Sequence, residues 1–237
     1  MLSDNAFWLL AFALYSIDHI KLIDQRELVL HEDVSLNWHV VLAAIPFELR
    51  RRCVIILNPF CPFAMAFKMR WMIFEGTNPR ALRKDRKSTL SLQRRALPLR
   101  VLVAVSFITF FICGPIFTGS LGLGRTLLLL APIHAVVIAM IILVVVRDRL
   151  GLPLKQWAAL ITECTFCPMY CPALLKRLSW RTPLTADGLA FAKRYVPVDF
   201  LPELELAAQT RMEDTLEACD DAIERDEITK YRNWAFQ

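Results

Sequence analysis

The chain has 237 residues, of which 56% are apolar, and it carries a formal net charge of +5. Soluble domains are less apolar on average, so the composition argues against a wholly soluble protein and leaves room for one small soluble domain. The charge is divided unevenly, because residues 1–199 contain 24 Lys and Arg against 13 Asp and Glu, whereas residues 200–237 contain 4 against 10. The acidic end is therefore predicted to form a segment of its own.

The first segment, residues 1–24, is predicted to be an apolar helix. Its apolar run, residues 6–17, lies between Asp4 and Asp18 and is shorter than the about 20 residues that a membrane span needs. The run therefore fits either a short first span or a helix lying in the membrane interface. Asp4 and the absence of Lys and Arg before the run argue against a secretory signal peptide.

Residues 25–75 are predicted to form a small antiparallel β meander. In its last strand the large apolar residues alternate with Ala66, Lys68 and Arg70, which is the pattern of a half-buried strand. The four predicted strands are residues 26–32, 37–43, 47–57 and 65–71. A meander of this size is marginal alone, so we expect it to pack on the membrane or on other parts of the chain.

Two histidines flank the first turn of the predicted meander. If the hairpin closes symmetrically about Ser35, His31 and His39 become cross-strand neighbours. The pair is then either a polar surface contact or part of a metal site, to which Glu32 or Glu48 would add a ligand.

Two uncharged apolar runs, residues 101–118 and 126–146, predict a transmembrane helical hairpin within residues 99–149. Both runs exceed the lower limit of about 17 residues for a span. The connector, residues 119–125, is short, so the helices are expected to be antiparallel neighbours. Pro115 and Pro132 are expected to bend their helices because each proline removes a backbone hydrogen bond.

Residues 76–98 are predicted to be a basic juxtamembrane helix. Lys and Arg flank both apolar runs, whereas the connector holds only Arg125, so the flanks are expected in the cytoplasm and the connector outside. In a bacterial host the membrane would be the inner membrane. Candidate ligands for anionic lipid headgroups are Arg83, Lys84, Arg86, Lys87, Arg94 and Arg95. Nucleic-acid binding is not expected, because the segment lacks aromatic residues for base stacking.

Residues 150–199 are predicted to be a membrane-interface segment containing prolines and cysteines, with Lys176 and Arg177 extending towards the membrane surface. Cys164, Cys167 and Cys171 share one helix face or could surround one ion. Thiolates suit zinc, copper(I) or an iron–sulfur cluster, and the Cys-x-x-Cys half also resembles a redox pair. The alternative is that the three thiols only pack in an apolar segment.

His134 is an ionisable residue inside the second apolar run, and Thr109 lies at a similar depth in the first. Ionisable residues in hydrocarbon are costly, which makes His134 a candidate for a proton or ion path. The simpler interpretation is a neutral histidine that is hydrogen-bonded to Thr109 or Ser106 across the hairpin.

Residues 200–237 are predicted to be an acidic amphipathic helix, with its helical part over residues 203–231. Apolar residues recur at steps of three or four and form one narrow stripe. The stripe consists of Leu204, Ala208, Met212, Leu216, Cys219 and Ile223. Such a stripe requires a surface to bury against, on a partner, on a second copy or on this chain.

The sequence contains no complete catalytic motif, so an enzyme is not expected. The predicted fold is a membrane helical hairpin of two spans, or three if residues 6–17 also cross, with the β meander and the tail helix largely in the cytoplasm. The predicted role is a membrane accessory or scaffold protein for a protein partner or a homo-oligomer. The alternatives are a zinc or iron–sulfur or redox protein using the cysteine cluster, and a small transporter subunit using His134.

Overall fold

The computed structural model describes residues 4–24, 26–32, 38–41, 45–49, 52–148, 153–217, 219 and 221–236, and these are mostly helical. The helices are α1 (Asp4–Ile17), α2 (Pro79–Arg95), α3 (Leu97–Phe107), α4 (Gly114–Leu121), α5 (Leu123–Asp148), α6 (Leu154–Phe166), α7 (Leu174–Trp180), α8 (Gly188–Tyr195), α9 (Leu201–Glu217) and α10 (Ala222–Ala235). The strands are β1 (Ile20–Asp24), β2 (Glu27–Glu32), β3 (Trp38–Val41), β4 (Ile45–Leu49), β5 (Arg52–Ile56) and β6 (Ala66–Arg70).

Two compact units make up the chain, and each combines segments that are far apart in the sequence. Unit 1 consists of Met1–Ile20, Leu57–Met65 and Ser91–Thr182, and unit 2 consists of Lys21–Ile56, Ala66–Leu90 and Pro183–Gln237. Strands β2 to β6 and the acidic tail belong to the same unit, although they are far apart in the sequence. Sequence periodicity identifies single elements but not the long-range contacts that join them.

Unit 1 contains two helices that are long and apolar enough to cross a membrane, Leu97–Leu121 and Leu123–Val146, which we call the first and second apolar helices. They include the two predicted runs and extend beyond them, so the predicted connector shrinks to Gly122. The backbone φ of Gly122 is +77°, a left-handed conformation that glycine adopts without steric cost. The chain therefore passes from one helix to the next at a single residue.

The first apolar helix changes its hydrogen-bonding pattern in the middle. A π-helical turn, Ile108–Cys113, separates α3 from α4. Pro115 follows this turn; it has no backbone N–H, and its ring crowds the carbonyl group four residues earlier. A π-helical turn widens the backbone at such a point. Pro115, which was expected to bend the first apolar helix, therefore follows a turn in which the helix backbone is widened.

Helix α1 packs against the first apolar helix. The indole Nε1 of Trp8 donates a hydrogen bond of 2.9 Å to Thr118 Oγ1, and its ring lies edge-on to Phe110 with the centroids 5.2 Å apart. Gly114 permits this approach, because a Cβ atom there would lie 2.4 Å from the Trp8 ring. The 14 residues of α1 extend over about 21 Å, less than a hydrocarbon core of about 30 Å.

Unit 2 contains two three-stranded sheets, with strand orders β1-β5-β4 and β3-β2-β6. The antiparallel strands are confirmed, but the single four-stranded meander is wrong, because β6 pairs with β2 and β1 was not predicted. Strand β2 is central because it pairs with β3 at one edge and with β6 at the other, and Leu28, Val29 and Leu30, which alternate between its two faces, are all buried. The predicted register is confirmed, since His31 and His39 are paired between β2 and β3.

A buried carboxylate organises the loops of unit 2. Asp187 accepts hydrogen bonds from the backbone N–H of Ile73 at 3.1 Å, from that of Ala190 at 2.9 Å and from the Tyr231 hydroxyl at 2.7 Å. Its own N–H donates to the Gly76 carbonyl at 2.9 Å. Burial raises the pKa of Asp187, so the ionised form depends on these donors.

A second buried carboxylate holds the neighbouring residues of the same loop. Asp85 on α2 accepts hydrogen bonds from the N–H groups of Thr185 at 2.6 Å and Ala186 at 2.7 Å. Asp85 and Asp187 together hold residues 185–187. This segment leads into α8, and Asp187 is the N-cap of that helix.

We predict that Tyr231→Phe destabilises unit 2 by about 1.5–3 kcal/mol at neutral pH, the usual cost of losing a hydrogen bond to a charged group. A raised pKa means that folding favours protonated Asp187, so this group stabilises the fold most at low pH and less as pH rises through its folded-state pKa. The penalty should therefore shrink as Asp187 becomes protonated in mild acid. Urea unfolding at both pH values measures it.

The matched control is Tyr195→Phe, since the half-buried Tyr195 meets the Arg86 guanidinium with its ring rather than through its hydroxyl. An equal loss of stability in both variants, or a Tyr231→Phe penalty that is independent of pH, would contradict the assigned role of Asp187.

Candidate functional site beside the apolar hairpin

His134 lies at the middle of the second apolar helix, eleven residues after Leu123 and twelve before Val146. Its Nε2 atom is 3.0 Å from the backbone carbonyl oxygen of Cys164 in the last turn of α6. Because a carbonyl oxygen can only accept, Nε2 carries the proton and donates. A side chain in one helix thereby satisfies a backbone group at the end of another.

This contact replaces the predicted one, since the hydrogen bond of His134 runs to α6 and not to Thr109 or Ser106. The physical reason is that the carbonyl groups at the end of α6 lack partners within that helix. The last four carbonyl groups of an α-helix have no N–H partner within the helix, and α6 ends at Phe166. The Cys164 carbonyl is one of these groups and therefore needs a donor from elsewhere.

The hydrogen bond also places α6. This helix packs against α5 and buries Trp157, Leu160 and Cys164, and its last turn lies beside the middle of the second apolar helix. The predicted interface segment, residues 150–199, thus includes a helix whose end lies alongside the hairpin, followed by the 3₁₀ helix Pro168–Ala173, which packs against α3.

Three charged side chains and one aromatic ring form a polar cluster in unit 1. Arg177 donates from Nε to Asp18 Oδ2 at 2.8 Å and from Nη1 to Glu163 Oε2. The guanidinium lies over the Tyr170 ring, 4.4 Å from its centroid. Arg177 and Asp18 are largely buried, whereas Glu163 is 43% exposed. The planar guanidinium can bridge two carboxylates, which a lysine ammonium on a flexible stem does less well.

Lys176 and Arg177 do not extend to a surface as predicted. Lys176 is 2% exposed, and its ammonium donates to the Asn58 carbonyl at 2.6 Å. Arg177 is held by the polar cluster. Both cations have acceptors within unit 1, and this is why they turn inward.

The predicted three-thiol cluster separates into a pair and a single cysteine. Cys164 and Cys171 are buried and hydrogen-bonded to each other, with Ser106 beside Cys171, and Cys167 is half-buried. The hydrogen bond to Cys171, together with burial, raises the pKa of the Cys164 thiol. The same hydrogen bond lowers the pKa of Cys171. The thiolate, which is the form that binds metals and attacks disulfides, is therefore disfavoured at Cys164 but not at Cys171.

No group of three His, Cys, Asp or Glu side chains suited to a metal ion occurs among the described residues. Cys167 caps the end of α6, and the chain then enters the 3₁₀ helix, so the single helix face expected for the three thiols does not form. Zinc or iron–sulfur binding at Cys164, Cys167 and Cys171 stays a prediction from the sequence that this geometry does not favour.

The sequence patterns do not predict the roles of the two carboxylates in the polar cluster. Asp18 marks only the end of an apolar run, and Glu163 belongs to no motif. Yet Glu163 is the only acidic residue between residues 149 and 186. An isolated acid in an apolar segment is stabilised by a nearby cation, and Arg177 lies on the same segment. That signal would have indicated the pair.

The basic residues proposed for lipid headgroups share helix α2. Its buried side carries Leu82, Asp85, Thr89 and Leu92 at helical spacing. The six basic residues are all exposed, namely Arg83, Lys84, Arg86, Lys87, Arg94 and Arg95. The helix thus presents an exposed cationic surface, which we call the basic face.

The predicted tail stripe is mostly covered by the chain itself. Residues 203–231 form two helices because Asp221 starts α10 by accepting a hydrogen bond of 2.9 Å from the Ile223 N–H. The stripe residues differ in exposure: Leu204, Ala208, Met212 and Cys219 are buried, Leu216 is half-buried, and Ile223 is 74% exposed. The stripe therefore belongs largely to the interior of unit 2.

Comparison with known protein families, with curated proteins and with solved structures finds no match to this chain. Its function is therefore argued from its own residues.

We predict that Arg177→Lys lowers the stability of unit 1 by about 1.5–3 kcal/mol, because the point charge of lysine does not bridge both Asp18 and Glu163. The control is Arg181→Lys on the same segment, whose side chain is exposed and whose replacement should cost less than about 0.5 kcal/mol. Thermal unfolding in detergent measures both, and equal effects would show that the polar cluster adds no stability.

Proposed function

We propose that the chain is an integral membrane protein whose first and second apolar helices cross the bilayer. One observation carries this proposal: only 28% of the most apolar stretch of each helix is buried. A core helix of a soluble protein would be mostly buried. Large apolar side chains are instead exposed along both helices, among them Ile116 at 66%, Leu128 at 77% and Leu143 at 61%. An apolar surface of this extent favours lipid as its solvent.

The flanking charges support an orientation. The basic face precedes the first apolar helix, and the chain just after the second also contains Arg and Lys, whereas the turn around Gly122 has Arg125 alone. We infer that both flanks lie in the cytoplasm and the turn outside. In a bacterium this membrane is the cytoplasmic one, and most residues outside the two apolar helices then lie on its cytoplasmic side.

The proposed role is a non-catalytic accessory protein that holds a protein partner, or a second copy, at the membrane. Unit 2 has its own buried core, and it exposes two neighbouring aromatic rings. Phe74 is 45% exposed, Trp234 is 40% exposed, and their centroids are 6.2 Å apart. Aromatic residues are enriched at the centres of interfaces, so this pair suits a partner better than the covered tail stripe.

Anionic phospholipid headgroups are the proposed ligand of the basic face. Each Lys or Arg near an anionic surface contributes about 1 kcal/mol of attraction, and the position of α2 directly before the first apolar helix supports contact with the headgroup layer.

Two alternatives have one supporting observation each. The hydrogen-bonded thiols of Cys164 and Cys171 favour a redox pair over a metal site, although both are buried. The central position of His134 favours a transporter subunit. Its proton is engaged by the Cys164 carbonyl, which supports a structural role more strongly.

If the two apolar helices cross a bilayer, the free-energy cost of introducing a charged side chain depends on its depth in that bilayer. Val136 and Val146 are exposed to similar extents, 63% and 70%, but Val136 lies near the middle of the second apolar helix and Val146 at its end. Val136→Arg should cost about 2.5–3.5 kcal/mol of insertion free energy, whereas Val146→Arg should be tolerated because its guanidinium reaches the interface. The fraction of protein that resists alkaline extraction from membranes measures the difference.

A soluble protein would respond differently, since arginine at either exposed position would meet water. Equal tolerance of both substitutions, with the unmodified chain released by alkaline extraction, would contradict the proposal.

A further inference from the structure

A groove of about 510 Å³ runs along the second apolar helix in unit 1. Its floor is formed by α5, and its sides include Phe110 from the π-helical turn and the end of α6. The lining includes Phe110, Ala131, His134, Ala135, Thr165 and Pro168. The small side chains of Ala131 and Ala135 leave the space that makes the groove.

The lining chemistry calls for an occupant without hydrogen-bonding groups. Among the described lining residues, only His134 and Thr165 have polar side chains. His134 Nε2 donates to the Cys164 carbonyl, and the Thr165 hydroxyl donates to the Ile161 carbonyl at 2.7 Å. Both donors are used within the chain, so a ligand would find mainly carbon to contact.

The dimensions of the groove favour a thin, extended occupant. Its lining extends from Leu127 to Ile142, which is about 22 Å along a helix. A groove of about 510 Å³ over this length is not wide enough to enclose a helix with a diameter of about 10–12 Å. A hydrocarbon chain can lie along the whole groove, whereas a helix of a second copy could insert only side chains into it.

We propose that this groove holds one acyl chain of a membrane phospholipid. The inference rests on the proposed membrane insertion, because the surrounding lipid supplies the chain. The bound chain would lie across the imidazole of His134, covering the hydrogen bond that fixes the end of α6.

The test uses the full chain in phosphatidylcholine vesicles that contain a phospholipid with a photoactivatable diazirine on its acyl chain. After irradiation, mass spectrometry of peptides locates the label. We expect label on both sides of the groove, at Phe110 and around Thr165 and Pro168. Ala135→Phe should fill the floor and abolish this labelling. Val136→Phe, at the next position but on the exposed surface outside the lining, should retain it.

A second measurement keeps the proposal falsifiable if Ala135→Phe fails to fold. Native mass spectrometry of the unmodified chain in mild detergent should show one retained phospholipid, and the absence of any would overturn the proposal. Labelling that is unaffected by Ala135→Phe, or crosslinks between two copies through this groove, would also overturn it. Release of the chain from the vesicles by alkaline washing would instead refute the membrane insertion on which the inference rests.

Discussion

The carbonyl groups at the end of a helix need donors from elsewhere, and this need shapes unit 1 around the apolar hairpin. Helix α6 ends beside the middle of the second apolar helix, and in the proposed bilayer its terminal carbonyl groups would have no water to bond. The hydrogen bond from His134 to the Cys164 carbonyl meets part of this need, and it fixes the start of the 3₁₀ helix that follows. The positions of the thiol pair and of the polar cluster depend on where that helix ends.

Lys176 and Arg177 turn inward because each has acceptors within unit 1. Arg177 bridges Asp18 and Glu163, and Lys176 donates to a backbone carbonyl. Asp18 directly follows α1, Glu163 is on α6, and Arg177 is on α7. The contacts of Arg177 therefore connect the end of α1 with α6 and α7. Unit 2 uses buried carboxylates in the same way, with Asp85 and Asp187 holding one loop. Breaking a largely buried pair leaves an uncompensated charge, which costs more than the pair contributes.

The sequence was sufficient for elements with a strong local pattern. The two apolar helices, the basic helix α2 and the register of His31 with His39 followed from periodicity and spacing. Contacts between distant segments could not be predicted from periodicity and spacing. Examples are the pairing of β6 with β2, the start of a new helix at Asp221 and the cluster around Arg177. His134 was identified as an unusual residue, but its partner is a backbone carbonyl, which carries no side-chain signature in the sequence.

We propose that the apolar hairpin crosses a bilayer with its turn on the opposite side from α2. Ser120, near the turn, and Ser88, on α2, are both exposed, so each can be replaced by cysteine and labelled with a membrane-impermeant maleimide in intact cells, against the background of the unmodified chain. The account predicts added labelling of Ser120→Cys in intact cells and of Ser88→Cys only after permeabilisation. Labelling of both positions from the same side would contradict it.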